Sequence, residues 1–335
     1  MKFKTVEWID GKIKILDQTL LPLEEKYLEL ETPGEVGRAI KEMKVRGAPL
    51  IGIVAAYGVA LAWMKKLDVE RAIEELRKTR PTAYNLFYAL DRMKKAYREG
   101  KDLIEEAISI HKEDEEICRK IGEYGFSLLS GDEITGMTIC NAGALATGGM
   151  GTALAPFYVA KEKGKKVRVF VPETRPFLQG ARLTAWELSR NGIEVYLVSD
   201  GAKAHILRTE KVDIVITGAD RIAMNGDAAN KIGTLGLAVC ANEFGVPFYI
   251  AAPHTTFDPG IKSGDEIPIE ERSHDEVFYC GGTRIAPEGI GARNPVFDVT
   301  SEKYIHGFIT DAGIIKKPYD KNIPSLIMPL LRGRG

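Results

Sequence analysis

The feature that most constrains this chain is a change of pattern near Gly131. Beyond it, short β-branched and apolar runs alternate with helical stretches. Residues 135–139, 167–171, 194–198, 212–216 and 248–251 read as strands; residues 152–162, 180–190, 202–209 and 235–244 read as the helices between them. Such alternation implies right-handed βαβ units and a parallel sheet. The first 130 residues read differently. Runs at 6–9 and 12–16 flank Asp10-Gly11, a hairpin dipeptide. From Gly34 to about Leu129 the spacing is helical: Val36, Ile40 and Met43 recur on one face, residues 49–64 form an Ala- and Gly-rich helix, residues 69–78 follow, and Pro81 suits the first turn of the next helix. Residues 102–129 form a long amphipathic stretch. The expected architecture is α/β: a mainly helical N-terminal domain with a small β element over residues 1–130, then a Rossmann-like parallel-sheet catalytic domain over residues 131–335.

Composition narrows the function classes. A chain of 335 residues that is 44% hydrophobic can bury a substantial core. A formal net charge of -1 argues against a nucleic-acid partner, which ordinarily meets a basic face. No run is long and apolar enough to span a bilayer, and the opening Met1-Lys2-Phe3-Lys4 leads into mixed polar sequence with no secretory signal. Cys118, Cys140, Cys240 and Cys280 form no C-x-x-C pair and show no metal-ligand spacing. A reducing cytoplasm is the expected location. Gln occurs only at positions 18 and 179 while Lys and Glu abound, a composition that leans towards a thermophile.

In an open parallel sheet, ligands lie beyond the carboxyl ends of the strands. The strand at 212–216 runs into Gly218-Ala219-Asp220-Arg221, then Asn225-Gly226-Asp227 and Asn230-Lys231-Ile232-Gly233-Thr234. Two Asp, two Asn, one Arg and one Lys before the next helix exceed what capping needs. After the first strand of the sheet comes Cys140-Asn141-Ala142-Gly143, continuing glycine-rich to Thr152. The glycines allow close backbone approach to a ligand. Their spacing fits neither a dinucleotide fingerprint nor a P-loop, so a nucleotide site is disfavoured. Cys140, at a strand end in this company, is a functional candidate; the other three cysteines read as small buried hydrophobes. Glu173-Thr174-Arg175-Pro176-Phe177-Leu178-Gln179 joins strand to helix, and Gln179 is placed to meet a sugar hydroxyl. Its Glu and Arg read equally well as a surface pair.

In the N-terminal domain, Arg46-Gly47-Ala48-Pro49 and Arg80-Pro81-Thr82-Ala83 each put an Arg before a Pro-started helix. Helix N-termini with an adjacent Arg attract phosphate. The five histidines make no metal pair, and His254 is either structural or lines the crevice. A thiol and a carboxylate facing a phosphate-ready crevice suit proton transfer on a phosphorylated sugar.

Taken together, these stretches resemble a family of sugar-phosphate isomerases that holds the methylthioribose-1-phosphate isomerases, the ribose-1,5-bisphosphate isomerases and the regulatory subunits of initiation factor two-B. Residues 267–272, Ile-Pro-Ile-Glu-Glu-Arg, and 294–300, Asn-Pro-Val-Phe-Asp-Val-Thr, extend the similarity over nearly the whole chain. Val296 stands where Ala is expected. The resemblance implies isomerisation of 5-methylthioribose 1-phosphate to 5-methylthioribulose 1-phosphate in methionine salvage, with Cys140 and Asp220 as the catalytic pair. It assigns substrate contacts to Arg46, Gly47, Ala48, Arg80, Gln179, Asn230 and Lys231. It implies a homodimer acting on a phosphorylated pentose, with no metal or organic cofactor. Ribose-1,5-bisphosphate isomerisation is the alternative, because that enzyme shares the catalytic residues. A regulatory subunit is disfavoured because such subunits generally lack the Cys/Asp pair, which is present here.

Two expectations follow from the chemistry. A sugar 1-phosphate is a locked acetal, so ring opening needs a proton donor, and burial of Asp220 is expected to keep that carboxyl neutral. A methylthio group at carbon 5 needs an apolar pocket, for which Trp8, Ile13, Ile15, Leu20, Leu21, Leu145 and Met150 are the candidates.

Overall fold

A computed structural model describes residues 1–80 and 84–332. The expected helix start at Pro81 lies outside the described residues. The chain divides into two compact units, Met1–Arg119 with Ala142–Gly151, and Lys120–Asn141 with Thr152–Gly335. No helix among the described residues is long and apolar enough to cross a membrane.

The first unit opens with three antiparallel strands, β1 (Val6–Ile9), β2 (Lys12–Leu16) and β3 (Tyr27–Leu30), in that spatial order. Asp10 and Gly11 turn the first hairpin with φ of 50° and 74°, the left-handed pair that a two-residue hairpin turn demands. Helices α1 (Pro33–Lys41), α2 (Ala48–Met64), α3 (Val69–Arg77), α4 (Tyr84–Arg98) and α5 (Leu103–Phe126) follow. Thr32 and Glu35 close a reciprocal capping box at the start of α1, with Pro33 in its first turn. Helix α2 is apolar on every side and buried without interruption from Leu50 to Ala62. A helix of that kind has to be the core element of its unit, and α1, α3 and α4 pack around it. Gly52 lets α4 approach: a Cβ there would stand 2.7 Å from the Asn85 carbonyl oxygen.

The second unit is built on β4 (Glu133–Met137), α6 (Ala155–Glu162), β5 (Lys166–Pro172), α7 (Ala185–Arg190), β6 (Glu194–Val198), α8 (Lys203–Thr209) and β7 (Ile214–Thr217). Next come β8 (Arg221–Ile222), β9 (Ala228–Lys231), α9 (Thr234–Glu243) and β10 (Phe248–Ala251). A loop-rich segment holds α10 (Asp275–Phe278), β11 (Tyr279–Cys280) and β12 (Thr283–Arg284), and the chain continues through β13 (Phe297–Thr300), β14 (Gly307–Thr310), β15 (Gly313–Ile315) and α11 (Tyr319–Arg332). Seven strands form one sheet in the order β15-β14-β10-β7-β4-β5-β6, parallel throughout except for β15. The chain builds outward from β4 to β5 and β6, then returns to β7 and builds the other way. The direction therefore reverses between β4 and β7, where a crevice opens beyond the strand ends of such a sheet. Helix α6 seats against the sheet because Gly136 has no side chain: a Cβ there would lie 2.3 Å from the Phe157 ring. A small antiparallel sheet, β13-β9-β8, carries the polar loop that follows β7.

Candidate active site

Three loops follow three neighbouring parallel strands of the second unit. Cys140 comes after β4, Asp220 after β7, and Gln179 after β5. Cys140 and Asp220 thus stand on the two strands that flank the reversal point.

Cys140 is partly exposed and holds a φ of 61°, a left-handed conformation that a non-glycine residue adopts at a cost of about 1–3 kcal/mol. Its surroundings hold it there. The Cys140 N–H donates to Thr174 Oγ1 at 2.9 Å, and the Thr184 hydroxyl donates to the Cys140 carbonyl oxygen. Thr174 is itself left-handed at 63°. Its turn is fixed by Asp200, whose carboxylate accepts the N–H groups of Thr174 at 3.0 Å and Arg175 at 2.7 Å.

Gln179 is buried, and its Oε1 has no hydrogen-bond partner in the protein. A buried acceptor without a donor is rare and calls for an explanation such as a ligand or ordered water. The next residue opens a single π-helical turn, Gly180–Thr184, ahead of α7. Such turns occur frequently at functional sites. Only glycine fits at 180, because a Cβ would sit 1.8 Å from the Pro172 carbonyl oxygen. Arg175 does not form the surface pair with Glu173 that the sequence suggests: its guanidinium donates to the carbonyls of Val277 at 2.8 Å and Tyr279 at 3.1 Å, tying the loop-rich segment to this turn.

Asp220 is exposed, and its N–H donates to the Ala229 carbonyl at 2.9 Å. The burial expected to keep its carboxyl neutral is therefore absent: exposure rises from the buried Gly218, just past the end of β7, to Asp220. Asn230 is buried, and its Nδ2 donates to Thr234 Oγ1 at 3.0 Å. Lys231 places Nζ 4.7 Å from the centroid of the Phe297 ring, a cation–π contact. The start of α9 is already claimed by a carboxylate: Asp298 accepts from Gly233 N at 2.7 Å and Leu235 N at 3.1 Å. Burial pushes the Asp298 carboxyl up, while those donors and Lys203 oppose the rise.

Arg46, Gly47, Ala48 and Arg80 belong to the first unit. Arg46 Nε donates to Gln18 Oε1 at 3.4 Å, and Gln18 Nε2 donates onward to the Leu145 carbonyl at 2.7 Å. Gly47 has a φ of 91°, and a Cβ there would lie 2.6 Å from Ala146. The loop before α2 thus presses against the turn Ala144–Ala146, which Thr5 also holds through its hydroxyl. Ala48 opens α2, and Arg80 follows Thr79, whose hydroxyl closes the end of α3 on Leu76.

Of the apolar residues expected near carbon 5, Ile13, Ile15, Leu21 and Leu145 are wholly buried and serve packing. Trp8, Leu20 and Met150 keep partial exposure, and Trp8 stacks on Tyr57 with ring centroids 5.4 Å apart. His254, at the end of β10, is buried, with Nδ1 2.7 Å from Asp311 Oδ2 and Nε2 without a partner. Among the described residues, no group of three or more His, Cys, Asp and Glu side chains stands together as metal ligands would. Sequence reasoning does not single out Thr174 and Thr184, whose hydroxyls hold the Cys140 backbone; the available signal is their place in the strand-to-helix segment that also carries Gln179.

Known proteins resemble this chain along nearly its whole length. A sequence profile of the Initiation factor 2 subunit family matches residues 44–317. A protein named methylthioribose-1-phosphate isomerase from Thermotoga neapolitana is 51% identical, with 98% of this chain and 99% of that protein covered. The crystal structure of 5-methylthioribose 1-phosphate isomerase from Pyrococcus horikoshii OT3 superposes with a TM-score of 0.93 at 44% identity, covering 97% of this chain and 96% of that one. A structure described as translation initiation factor eIF-2B, subunit delta, from A. fulgidus gives a TM-score of 0.89 at 40% identity, covering 97% and 99%. The chain belongs to the Initiation factor 2 subunit family, among the relatives named methylthioribose-1-phosphate isomerase.

Proposed function

We propose that this protein is the aldose–ketose isomerase of methionine salvage, converting 5-methylthioribose 1-phosphate to 5-methylthioribulose 1-phosphate. The observation that carries this reading is the identity of half the residues across 98% of the chain to a protein so named. The reaction is an internal redox exchange. The bond from carbon 1 to the ring oxygen breaks as that oxygen takes a proton. Hydrogen then passes from carbon 2 to carbon 1, and the carbon 2 hydroxyl becomes a carbonyl. Carbon 1 gains the two electrons that carbon 2 loses, so no external oxidant enters.

In this reading Asp220 gives the proton to the ring oxygen and later takes the one from the carbon 2 hydroxyl. Because Asp220 is exposed, its neutral form in this reading depends on the bound substrate excluding water around it. Cys140 acts beside it on the hydrogen that moves between carbons 1 and 2. Arg46, Gly47, Ala48, Arg80, Asn230 and Lys231 are substrate contacts in this reading, and the unpartnered Oε1 of Gln179 accepts a sugar hydroxyl. The same reading has the enzyme work as a homodimer in the cytoplasm of a heat-adapted organism, without metal, organic cofactor or nucleic acid.

The test is turnover by the purified chain of 5-methylthioribose 1-phosphate and ribose 1,5-bisphosphate, offered separately and in competition. Preferential isomerisation of the methylthio substrate, with Cys140→Ser and Asp220→Asn folded but reduced by orders of magnitude in kcat, is the expected result. A higher kcat/KM for the bisphosphate, no turnover of either, or near-normal kcat in both variants would overturn it.

A further inference from the structure

A carboxylate that the proposed reaction does not use lies buried behind Cys140. Glu187, on α7, is fully inaccessible to solvent. A buried charge of this kind survives only with hydrogen-bonded partners. Tyr158, on α6, donates its hydroxyl to Glu187 Oε1 at 2.7 Å, and Asn141, next to the thiol, donates Nδ2 to Glu187 Oε2 at 2.9 Å. Asn141 Nδ2 also reaches Thr184 Oγ1 at 3.2 Å, and the Thr184 hydroxyl reaches the Cys140 carbonyl.

The order of donors in this chain of bonds follows from one group. An ionised carboxylate only accepts. Glu187 therefore accepts the hydrogen bond of the Tyr158 hydroxyl and obliges Asn141 to turn its amide nitrogen inward. That nitrogen can only donate, so the Thr184 oxygen must accept from it. The Thr184 hydroxyl has one proton, which is left for the Cys140 carbonyl. Burial and the Glu187 charge both push the Tyr158 phenol well above its usual range, so it stays a donor. The chain ends on a residue held in a left-handed conformation, φ 61°, that it would not keep unaided.

We infer that Glu187 is a positioning residue: acting through Asn141 and Thr184, it fixes the polarity of the hydrogen bonds that hold Cys140 in its strained turn and so sets where the thiol stands. This rests on the proposed role of Cys140. It goes beyond that role in assigning a task to a buried carboxylate three residues past Thr184.

Two readouts test it. One is steady-state kinetics. The other is the rate of iodoacetamide alkylation at Cys140, followed by peptide mass spectrometry against pH, which needs neither substrate nor turnover. Glu187→Gln leaves the shape but removes the obligate acceptor. It should lower kcat by about 10- to 100-fold with KM within about threefold, as expected for a misplaced reacting group, and shift the alkylation profile. Thr184→Val cuts the last link without disturbing the carboxylate and should do the same, while Thr184→Ser, which keeps the hydroxyl, should restore both readouts. If Glu187→Gln does not fold, the Thr184 pair decides alone. Unchanged kcat and alkylation in Thr184→Val, or failure of Thr184→Ser to rescue, would overturn the inference. A wild-type chain without isomerase activity whose alkylation profile still responds to Glu187 and Thr184 would sink the proposed function and leave the positioning role standing.

Discussion

Asp114 accepts the backbone N–H of Gly148 at 2.7 Å, and His111, one turn earlier on α5, bonds the Gly148 carbonyl through Nε2 at 3.1 Å. Two side chains of one helix thus grip both peptide groups of a glycine in the segment after Cys140. Gly148 has to be glycine for this, since a Cβ would lie 2.5 Å from the His111 ring. Tyr57 fixes the ring from the other side with its hydroxyl 2.8 Å from His111 Nδ1.

The grip has a pH signature. Burial pushes the Asp114 carboxyl up to about 6, opposed by the Gly148 N–H, His111 and Cys118. A carboxyl raised in the folded state contributes stability that is fully present below its unfolded value of about 3.9 and is lost as pH rises through the folded value. Wild type should therefore lose stability between pH 4 and 7. Asp114→Asn keeps an acceptor for Gly148 but carries no charge. Its Tm should exceed that of wild type at pH 7.5 by a few degrees, since 1 kcal/mol is worth about 2–4 °C in large domains, and the gap should close by pH 4. Melting curves across that range with a constant gap would refute the assignment.

The Asp311–His254 pair predicts the opposite slope. Burial alone would raise the Asp311 carboxyl, but the His254 hydrogen bond and charge, with backbone donors, hold it below the usual range. A depressed carboxyl stabilises above its unfolded value of about 3.9 and loses that contribution as pH falls through the folded one. Asp311→Asn replaces the carboxylate that pairs with the His254 backbone N–H and Nδ1 and should cost about 1.5–3 kcal/mol in urea melts at pH 7, the range for hydrogen bonds to a charged group. That difference should shrink below pH 4. Equal midpoints for variant and wild type at neutral pH would dismiss the pair as a stabilising element.

Much of this architecture is legible in the sequence because its signals are local. The Asp10-Gly11 hairpin, the apolar α2 and the alternation from β4 to β10 each follow from the spacing of side chains over a few residues. The strand after Gly131 begins and ends two residues earlier than its pattern suggests, at Glu133 and Met137, and Gly136 within it is where Phe157 packs. Beyond β10 the local signal fails. β14 and β15 are four and three residues long, and α11 contains Pro324 and Pro329, so pattern alone would not extend the sheet or close it with a helix. At the candidate site, the pattern of strands and polar loops places Cys140, Asp220 and Gln179 after strand ends, which is where they stand, after β4, β7 and β5. The left-handed turn at Cys140 and the unpartnered Gln179 oxygen are products of tertiary packing, which no spacing rule encodes.

Gly180 and Gly47 offer the sharpest steric tests. At Gly180 a methyl group would meet the Pro172 carbonyl at 1.8 Å, and backbone cannot yield as a side chain can. At Gly47 the φ of 91° adds strain to a clash with Ala146. Gly180→Ala should unseat the π turn that follows Gln179 and carries Thr184, losing activity together with more than about 2 kcal/mol of stability. Gly47→Ala should destabilise by a similar amount. Circular dichroism melts within a degree of wild type for both would show that the chain accommodates a side chain at these positions.

Gln179 separates binding from folding. Its buried Oε1 lacks a donor, and an unsatisfied buried acceptor costs about 1–3 kcal/mol. A protein selected only for stability has no use for such a group, whereas a substrate hydroxyl would satisfy it on binding. Gln179→Met keeps the length of the side chain and removes the amide. Its Tm should equal or exceed that of wild type. Its KM for 5-methylthioribose 1-phosphate should rise at least about tenfold, which corresponds to about 1.4 kcal/mol of lost binding. The two measurements must move in this combination. A variant that binds substrate normally would show that the Oε1 group faces only trapped water. A variant that loses stability and affinity together would place Gln179 in the packing of the turn.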